Sequence, residues 1–276
     1  MRRRGGDAVR RDRYDPRVAA YFERLDDTRF RATAAVGGAW DPDEQHIAPA
    51  LGLLTHVIER TFAARLADGL QLGRLSFDIL GTMPIDVVEV ETRMLRPGRT
   101  VELVEASMSH GGRAAVTLRA WLMARHDTQA LAGDAFEPMA GVDEVEDWSG
   151  FDAWPGEFVR TVDVRGRRLG QGRAQVWLRP RVALLETEDV SPTGRLLSIL
   201  DIANGITPRF APQAVLFPNI DLTAHLFAQP HGEWLGFDTI VAYGSTGLGA
   251  THTVLHDENG VIGTSVQGLT VRERPA

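Results

Sequence analysis

Two polar side chains stand out between residues 217 and 271, because most residues around them are apolar. They are the carboxylate of Asp221 and the amide of Gln267, and each lies in a run typical of a β-strand. A carboxylate is costly to place inside a sheet unless a partner compensates for its desolvation. It can take a proton from water as a general base, and an amide N–H can donate to that water or to a developing oxyanion. The pair is therefore suited to activating a water molecule.

Other motifs give weaker signals. The glycine-rich run at residues 244–249 is followed by a β-branched strand and not by a helix, so it predicts a turn, not a phosphate-binding loop. No G-x-S-x-G motif is present, which disfavours an α/β-hydrolase. His252 and His256 would share one strand face, but the chain has no Cys and no clear third ligand. We therefore predict no metal site and no cofactor.

The composition excludes several classes of protein. With 276 residues, 43% of them hydrophobic, the chain can bury a substantial core as one large domain or two small ones. The net charge of −7 disfavours nucleic acid as the main partner. No apolar run approaches the roughly 20 residues that span a bilayer, and no secretory signal is evident. We therefore expect a cytoplasmic protein that does not bind membranes.

The elements that must position Asp221 and Gln267 form a regular pattern. A helix is predicted from about Gln45 to Ala67, after the N-capping sequence at residues 41–43. Its apolar residues recur at spacings of three and four and form one buried stripe, which leaves His56 and Glu59 on the helix surface. A first strand precedes this helix at residues 28–36. Four more strands are predicted after it, at Leu70–Leu80, Asp86–Leu95, Thr100–Ser109 and Arg113–Ala124.

The second half of the chain repeats this pattern. Two strands and a helix are predicted after Glu157, and an offset of 149 residues places apolar residues in the same helical phase. The first helix contributes positions 47, 50, 51, 54 and 57, and the second contributes Leu196, Ile199, Leu200, Ala203 and Ile206. The same offset takes Gly98 to Gly247 and Gly111 to Gly260, at the turns between strands. The chain therefore contains two copies of one unit.

Only the second copy carries the polar pair. Offsets of 146 to 149 residues relate Asp221 to Leu75, Arg74, Gly73 and Leu72, none of which is acidic. The offset of 149 relates Gln267 to Leu118. A pair needed only for folding would be expected in both copies, so its restriction to one copy favours a functional role.

Each predicted unit is a strand, a long helix and a four-stranded antiparallel meander that covers the helix. This is the hotdog arrangement, so the predicted fold class is α+β, with two tandem hotdog units forming a double hotdog. We expect a flexible Arg-rich extension at residues 1–16 and an N-terminal hotdog at 17–125. An acidic linker at 126–156 and a C-terminal hotdog at 157–276 would follow. The alternative for residues 1–16 is a tail that binds an anionic surface or nucleic acid.

The stretch from residue 217 to residue 271 resembles the C-terminal half of the double-hotdog acyl-CoA thioesterases, in the thioesterase-like superfamily. The resembling pieces are Ile220-Asp221-Leu222-Thr223 ahead of His225, then Gly232-Glu233-Trp234, Gly260-Val261-Ile262 and Val266-Gln267. The resemblance implies hydrolysis of acyl-CoA or acyl-carrier-protein thioesters without a covalent intermediate. It implies Asp221 as the acid that binds water and Gln267 as the amide. Backbone N–H groups at a helix N-terminus, near Gln45 or near Thr193, would help to stabilise the oxyanion.

The family pattern also includes a hydroxyl residue on the strand after Trp234, and there the sequence departs from it. Counting without gaps places Ala242 at that position. Ser245 or Thr246 could supply the hydroxyl only if the strand is shifted by three or four residues. We take Thr246 as the third candidate catalytic residue.

Two other functions stay open at this point. A hotdog hydratase or dehydratase for enoyl thioesters pairs an Asp with a His, and Asp221 and His225 would share a strand face, although that family's Asn-Pro motif is missing. An acyl-thioester-binding protein without activity is the second alternative, suggested by Ala242. An acyl thioester is the expected partner in each case. Open sheet edges also predict a homo-oligomer.

Overall fold

The computed structural model describes residues 20–151 and 153–274, which form a mixed structure of strands and helices. The strands are β1 (Ala20–Arg24), β2 (Arg29–Ala32), β3 (Leu70–Ile79), β4 (Val87–Arg96), β5 (Val101–His110), β6 (Arg113–Ala124), β7 (Glu146–Asp147), β8 (Val162–Gly170), β9 (Arg173–Pro180), β10 (Ala183–Leu185), β11 (Val215–Leu216), β12 (Asp221–Leu226), β13 (Leu235–Tyr243), β14 (Leu248–Asp257), β15 (Gly260–Thr270) and β16 (Arg272–Glu273). The α-helices are α1 (Ile47–Thr61), α2 (Ala63–Ala67), α3 (Pro192–Leu200) and α4 (Ala203–Ile206).

Fourteen of these strands form one sheet in the order β10-β1-β2-β4-β5-β6-β3-β12-β15-β14-β13-β9-β8-β7. The two antiparallel meanders, β4-β5-β6-β3 and β12-β15-β14-β13, meet where β3 pairs with β12. Helices α1 and α3 pack against the inner face of this sheet, where their apolar residues are buried. The predicted double hotdog is confirmed.

A pseudo-twofold relation between the halves can be read from the strand registers. Ser76 pairs with Arg119 and Thr223 pairs with Val266, so 76 maps to 223 and 119 maps to 266, an offset of 147 residues. Ser76 also pairs with Thr223 across the junction, and their hydroxyl oxygens are 2.9 Å apart. The pseudo-twofold axis therefore passes between these two side chains.

The helices are related by a slightly different offset. The N-cap of α1 is His46 and the N-cap of α3 is Ser191, which gives an offset of 145 residues. Helix α3 continues into α4 through Asp201 and Ile202, whose backbone dihedrals are both in the right-handed helical region.

The offset of 149 residues expected from the sequence is therefore wrong by one helical turn for the helices, and by two residues for the strands. An apolar stripe repeats about every 3.6 residues, so offsets of 145 and 149 give nearly the same helical phase. The register relates Gln267 to Ala120, not to Leu118, although both of these residues are fully buried and apolar.

The two ends of the sheet come together. Only two residues separate β9 from β10, yet β10 pairs in parallel with β1 at the opposite end of the strand order. The sheet must therefore curl around the helices. Near this closure the hydroxyl of Tyr21 lies 2.7 Å from Oγ1 of Thr161, which joins the first half to the second.

The acidic segment between the halves packs against both of them. Strand β7 pairs with β8, and Nε1 of Trp177 donates to the carbonyl oxygen of Ala140 at 2.8 Å. Trp154 is buried and contacts the rings of Trp40 and Phe217. The boundaries at 17–125, 126–156 and 157–276 stay a proposal, and the Arg-rich residues 1–16 lie outside the described part of the chain. No helix in that part is long and apolar enough to cross a membrane.

The contact between α1 and α3 depends on a glycine. A Cβ atom on Gly52 would lie 2.6 Å from Cβ of Ser198 and 3.0 Å from the carbonyl oxygen of Gly194. Both distances are below van der Waals contact, so only a residue without a side chain lets the two helices approach this closely.

We expect Gly52→Ala to destabilise the protein by about 1–3 kcal/mol, because the added methyl group must push the helices apart. Gly133→Ala is the matched control, since a Cβ atom there meets nothing within 4 Å. Thermal melts of the two variants measure the difference. Equal melting temperatures would show that the helices tolerate the methyl group.

Candidate active site

A buried carboxylate, Asp201, lies at the junction of α3 and α4 and is only 5% exposed. Its Oδ1 accepts a hydrogen bond from Nε2 of Gln267 at 3.0 Å and another from Nδ2 of Asn219 at 2.6 Å. Nδ2 of Asn204 donates to Oδ1 of Asn219 at 3.2 Å, which fixes the orientation of the Asn219 amide. Four polar side chains thus form one connected cluster inside the helix–sheet interface.

Strand alternation directs Gln267 towards this cluster. On β15, Val266 is 45% exposed on the outer face of the sheet, whereas Gln267 is 1% exposed on the inner face. Asn219 precedes β12 and forms a bridge with Leu269, two residues after Gln267 on β15. Helix α3 supplies Asp201 from the opposite side, so the interface between helix and sheet assembles the site.

The environment of Asp201 changes its acidity. Burial raises the pKa of the Asp201 carboxyl to about 7, and the hydrogen bonds from Asn219 and Gln267 oppose part of this rise. A carboxyl group with a pKa near neutrality can both take and return a proton at physiological pH.

Several buried side-chain atoms of this inner face have no hydrogen-bond partner among the described residues, and two of them lie on neighbouring strands. These two are Oε1 of Gln267 and Oγ1 of Thr251, and the two residues are paired across β14 and β15. Buried polar atoms are nearly always bonded in native proteins, so these two atoms can bind a water molecule or a polar atom of a substrate.

The structure does not bring Asp221 and Gln267 together. Asp221 belongs to the outer face of β12 with Thr223 and His225, while Leu222 and Ala224 face the core. Its Oδ1 accepts from the backbone N–H of Gly268, and its strand partner across the junction is Asp78. The expectation that Asp221 and Gln267 act together on one water molecule is therefore wrong, because their side chains project from opposite faces of one sheet.

The predicted hydroxyl, Thr246, is also remote from the Asp201 cluster. Thr246 and Ser245 lie in the exposed turn between β13 and β14, and neither forms a hydrogen bond to Asp201, Asn219 or Gln267. Ala242 is exposed on the outer face, where it pairs with Ala250. The polar group that contacts Asp201 beside Gln267 is the amide of Asn219, not a hydroxyl.

The histidines considered for other chemistry do not converge on a site. His225 and His252 are exposed on the outer face, whereas His256 is 3% exposed. No group of three or more residues in the described part of the chain could hold a metal ion.

The expectation that His56 and Glu59 lie on the helix surface is wrong for His56 and incomplete for Glu59. His56 is buried, and its Nε2 lies 2.9 Å from Oε2 of Glu188, which also pairs with Arg24 and Arg60. Glu59 is half-buried, and the hydroxyl of Ser191 shares its one hydrogen between the two oxygens of the Glu59 carboxylate. Both side chains therefore contact residues of the second half, Glu188 and Ser191, just before helix α3.

A cavity of about 20 Å³ adjoins the Asp201 cluster. Asn204 and Gly205 lie on its wall, three and four residues after Asp201 and therefore on the same side of the helix. Aromatic side chains and His46, the N-cap of α1, also line the cavity. Its complete lining is Ala39, Trp40, His46, Phe151, Trp154, Val159, Ile202, Asn204 and Gly205.

The strand order and the two packed helices define the chain as a double-hotdog protein, and comparisons with known proteins identify its family. Residues 36–123 match the family model of the acyl-CoA thioesterase N-terminal domain, and residues 134–271 match that of the C-terminal domain. The chain belongs to the acyl-CoA thioesterase family and is a thioester hydrolase. No curated protein sequence matches it.

Solved structures with the same fold have distant sequences. A hotdog-fold protein of unknown function from Alicyclobacillus acidocaldarius has a TM-score of 0.69 at 14% identity, and covers 94% of this chain and 97% of its own. The acyl-CoA thioesterase II TesB2 from Mycobacterium marinum has a TM-score of 0.63 at 15% identity, with coverages of 92% and 96%. The tesB protein of Mycobacterium avium subspecies paratuberculosis has a TM-score of 0.59 at 15% identity, with the same coverages.

We expect Asp201→Asn to be more stable than the wild-type protein at pH 8 and similar to it near pH 4. The folded pKa of about 7 lies above the usual value of 3.8, so the folded protein binds more protons between these values and loses stability as the pH rises. The asparagine removes this penalty, which grows by up to about 1.4 kcal/mol per pH unit.

Thermal melts of both proteins from pH 4 to pH 8 measure this difference. Asp221→Asn is the control, because Asp221 lies on the outer face of the sheet. A difference between Asp201→Asn and wild type that stays constant with pH would contradict the raised pKa.

Proposed function

We propose that Asp201 activates a water molecule for the hydrolysis of acyl-CoA or acyl-carrier-protein thioesters, without a covalent intermediate. One observation carries this proposal: both amide donors bind the same carboxylate oxygen, Oδ1. The second oxygen, Oδ2, has no hydrogen-bond partner among the described residues. A buried carboxylate held in this way presents one free basic oxygen.

The proposed reaction has two proton transfers. Oδ2 of Asp201 takes a proton from water while the water oxygen attacks the carbonyl carbon of the thioester. The resulting tetrahedral oxyanion collapses, the carbon–sulfur bond breaks, and the carboxyl group returns its proton to the thiolate that leaves. The products are a carboxylic acid and a free thiol, and Asp201 is regenerated as a carboxylate.

The two amides have distinct positioning roles in this proposal. Asn219 and Gln267 hold Oδ1 and so orient the carboxylate plane, and Asn204 in turn orients Asn219. Oε1 of Gln267 has no partner among the described residues and can accept a hydrogen bond from the attacking water. The water would then be held between one carboxylate oxygen and one amide oxygen.

Asp201 suits this role better than Asp221 for a physical reason. A general base works best when its pKa lies near the operating pH, and burial raises the pKa of Asp201 to about 7. Asp221 lies on the outer face, where its partner is the backbone N–H of Gly268. In the duplicated first half, the register relates Asp201 to His56, Asn219 to Leu72 and Gln267 to Ala120, so only one half carries the acid with its two amides.

The structure gives no support to the alternative hydratase pair, because Asp221 and His225 lie on the outer face and not beside the cavity. A homo-oligomer and a cytoplasmic location stay expectations from the sequence, and sedimentation at micromolar concentration tests the first of them.

We expect Asp201→Asn to lower kcat for acyl-CoA hydrolysis by at least about a hundredfold with little change in KM, because general base catalysis typically contributes about 10²–10⁴ in rate. Asp221→Asn should retain wild-type kcat. Release of free thiol from a panel of acyl-CoA substrates measures both variants, and thermal melts confirm that they are folded.

The same assay separates the alternatives. Loss of activity in Asp221→Asn together with full activity in Asp201→Asn would return the general base to the position expected from the sequence. Binding of acyl-CoA by the wild-type protein without release of thiol would identify a binding protein that has lost its activity.

A further inference from the structure

The pseudo-twofold relation places the end of each helix opposite the start of the other. The offset of 145 residues that relates the N-caps His46 and Ser191 also relates Glu59 to Asn204. Glu59 faces Ser191 on one side of the molecule, and Asn204 and His46 line the same cavity on the other. The Glu59–Ser191 contact and the cavity beside Asn204 and His46 are therefore at equivalent positions in the two halves, with different side chains.

The position between Glu59 and Ser191 is closed by a direct contact between their side chains. The hydroxyl of Ser191 lies 2.8 Å from Oε1 and 2.7 Å from Oε2 of Glu59, and it also accepts from the backbone N–H of Gly194. The equivalent position, between Asn204 and His46, contains the cavity of about 20 Å³. This volume admits a single water-sized group, such as one water molecule or one carbonyl oxygen.

The hydrogen bonding of His46 determines which of its ring nitrogens is protonated. Nδ1 accepts from the backbone N–H of Ala48 at 3.1 Å, so the hydrogen of a neutral ring must be on Nε2. Burial lowers the pKa of the His46 imidazole to about 3, which keeps the ring neutral at physiological pH. Nε2 has no partner among the described residues, and His46 lines the cavity.

The backbone at the start of α1 has few free donors. The N–H of Ala48 is already bonded to His46, and Pro49 has no N–H. A helix N-terminus would otherwise offer these groups to an oxyanion. The imidazole of His46 is thus a remaining strong donor on this wall of the cavity.

We propose that His46 is a further catalytic residue, whose Nε2–H donates to the carbonyl oxygen of the thioester as that oxygen gains negative charge in the cavity. This inference rests on the proposed function, with Asp201 as the general base. A chain of two hydrogen bonds, through Asn219, joins Asn204 on the cavity wall to Asp201. Trp40, Phe151 and Trp154 also line the cavity, and a fixed donor beside such apolar rings interacts more strongly than it would in bulk water.

The test compares His46→Ser with His46→Asp in the acyl-CoA hydrolysis assay. Ser and Asp are both good N-cap residues, so each variant keeps the cap of α1 while losing the Nε2–H donor. We expect kcat to fall by about 10²–10³ in His46→Ser, the usual effect of removing one oxyanion donor, with a smaller change in KM. His46→Asp should be slower still, because it places a negative charge near the oxyanion.

The relative kcat values of these two variants distinguish a catalytic role of His46 from a structural one. If His46 served only as a cap, His46→Asp would be at least as active as His46→Ser, since a carboxylate is favoured at a helix N-terminus. Ser191→Ala is the matched control: it removes the equivalent cap of α3 and should leave kcat within about threefold of wild type, far above the loss expected for an oxyanion donor.

A His46→Ser variant with kcat near wild type, beside an inactive Asp201→Asn, would overturn the role of His46 and leave the proposed function intact. Activity in Asp201→Asn would overturn the proposed function itself. Nitrogen NMR of the wild-type protein needs no variant: Nε2 of His46 should carry its proton from pH 5.5 to pH 8.5. An unprotonated Nε2 would contradict the inference independently.

Discussion

The hydrogen bonds to Oδ1 of Asp201 connect the helix of the second half to its sheet and form the centre of the candidate site. Gln267 donates from β15 and Asn219 donates from the segment before β12, so helix and sheet must pack together before the carboxylate is satisfied. Burial then raises the pKa of this carboxyl to about 7. A carboxylate in this position lowers stability at neutral pH, and that cost is the same property that makes it a suitable base.

Duplication explains how such a costly residue is tolerated. The two halves share one scaffold, in which α1 and α3 pack closely at Gly52 and the sheet curls around both helices. In one half, the end of the helix is closed by the contact between Ser191 and Glu59, beside Glu188 with its partners Arg24, His56 and Arg60. In the other half, the equivalent place is a small cavity next to the buried acid. The closed contact in one half can therefore stabilise the fold, while the equivalent position in the other half holds the candidate site.

The sequence was sufficient to predict the double hotdog, because helical phase and strand alternation are regular over long stretches. It also singled out Gln267, whose amide the structure places on the inner face of the sheet. The position of Asp221 was misjudged because one residue of strand register decides which face a side chain occupies, and Asp221 falls on the outer face. The helix offset was misjudged for a related reason, since a shift of four residues leaves helical phase almost unchanged.

Asp201 itself left a signal in the sequence. It lies in the mainly apolar stretch from Leu196 to Ile206, where burying a carboxylate is costly unless hydrogen-bond partners compensate for its desolvation. Those partners, Asn219 and Gln267, are 18 and 66 residues away in the chain. Their convergence depends on the packing of helix on sheet, which periodicity alone does not specify. The fixed tautomer of His46 likewise depends on a local contact with Ala48.

The pH dependence of kcat/KM for the wild-type protein tests the central claim most directly. If Asp201 is the general base and its pKa is about 7, kcat/KM for acyl-CoA hydrolysis should rise with a slope of one and level off above about pH 7. A profile that is flat from pH 5.5 to pH 8.5 would contradict this account, because it would show that no group titrating near neutrality acts as the base.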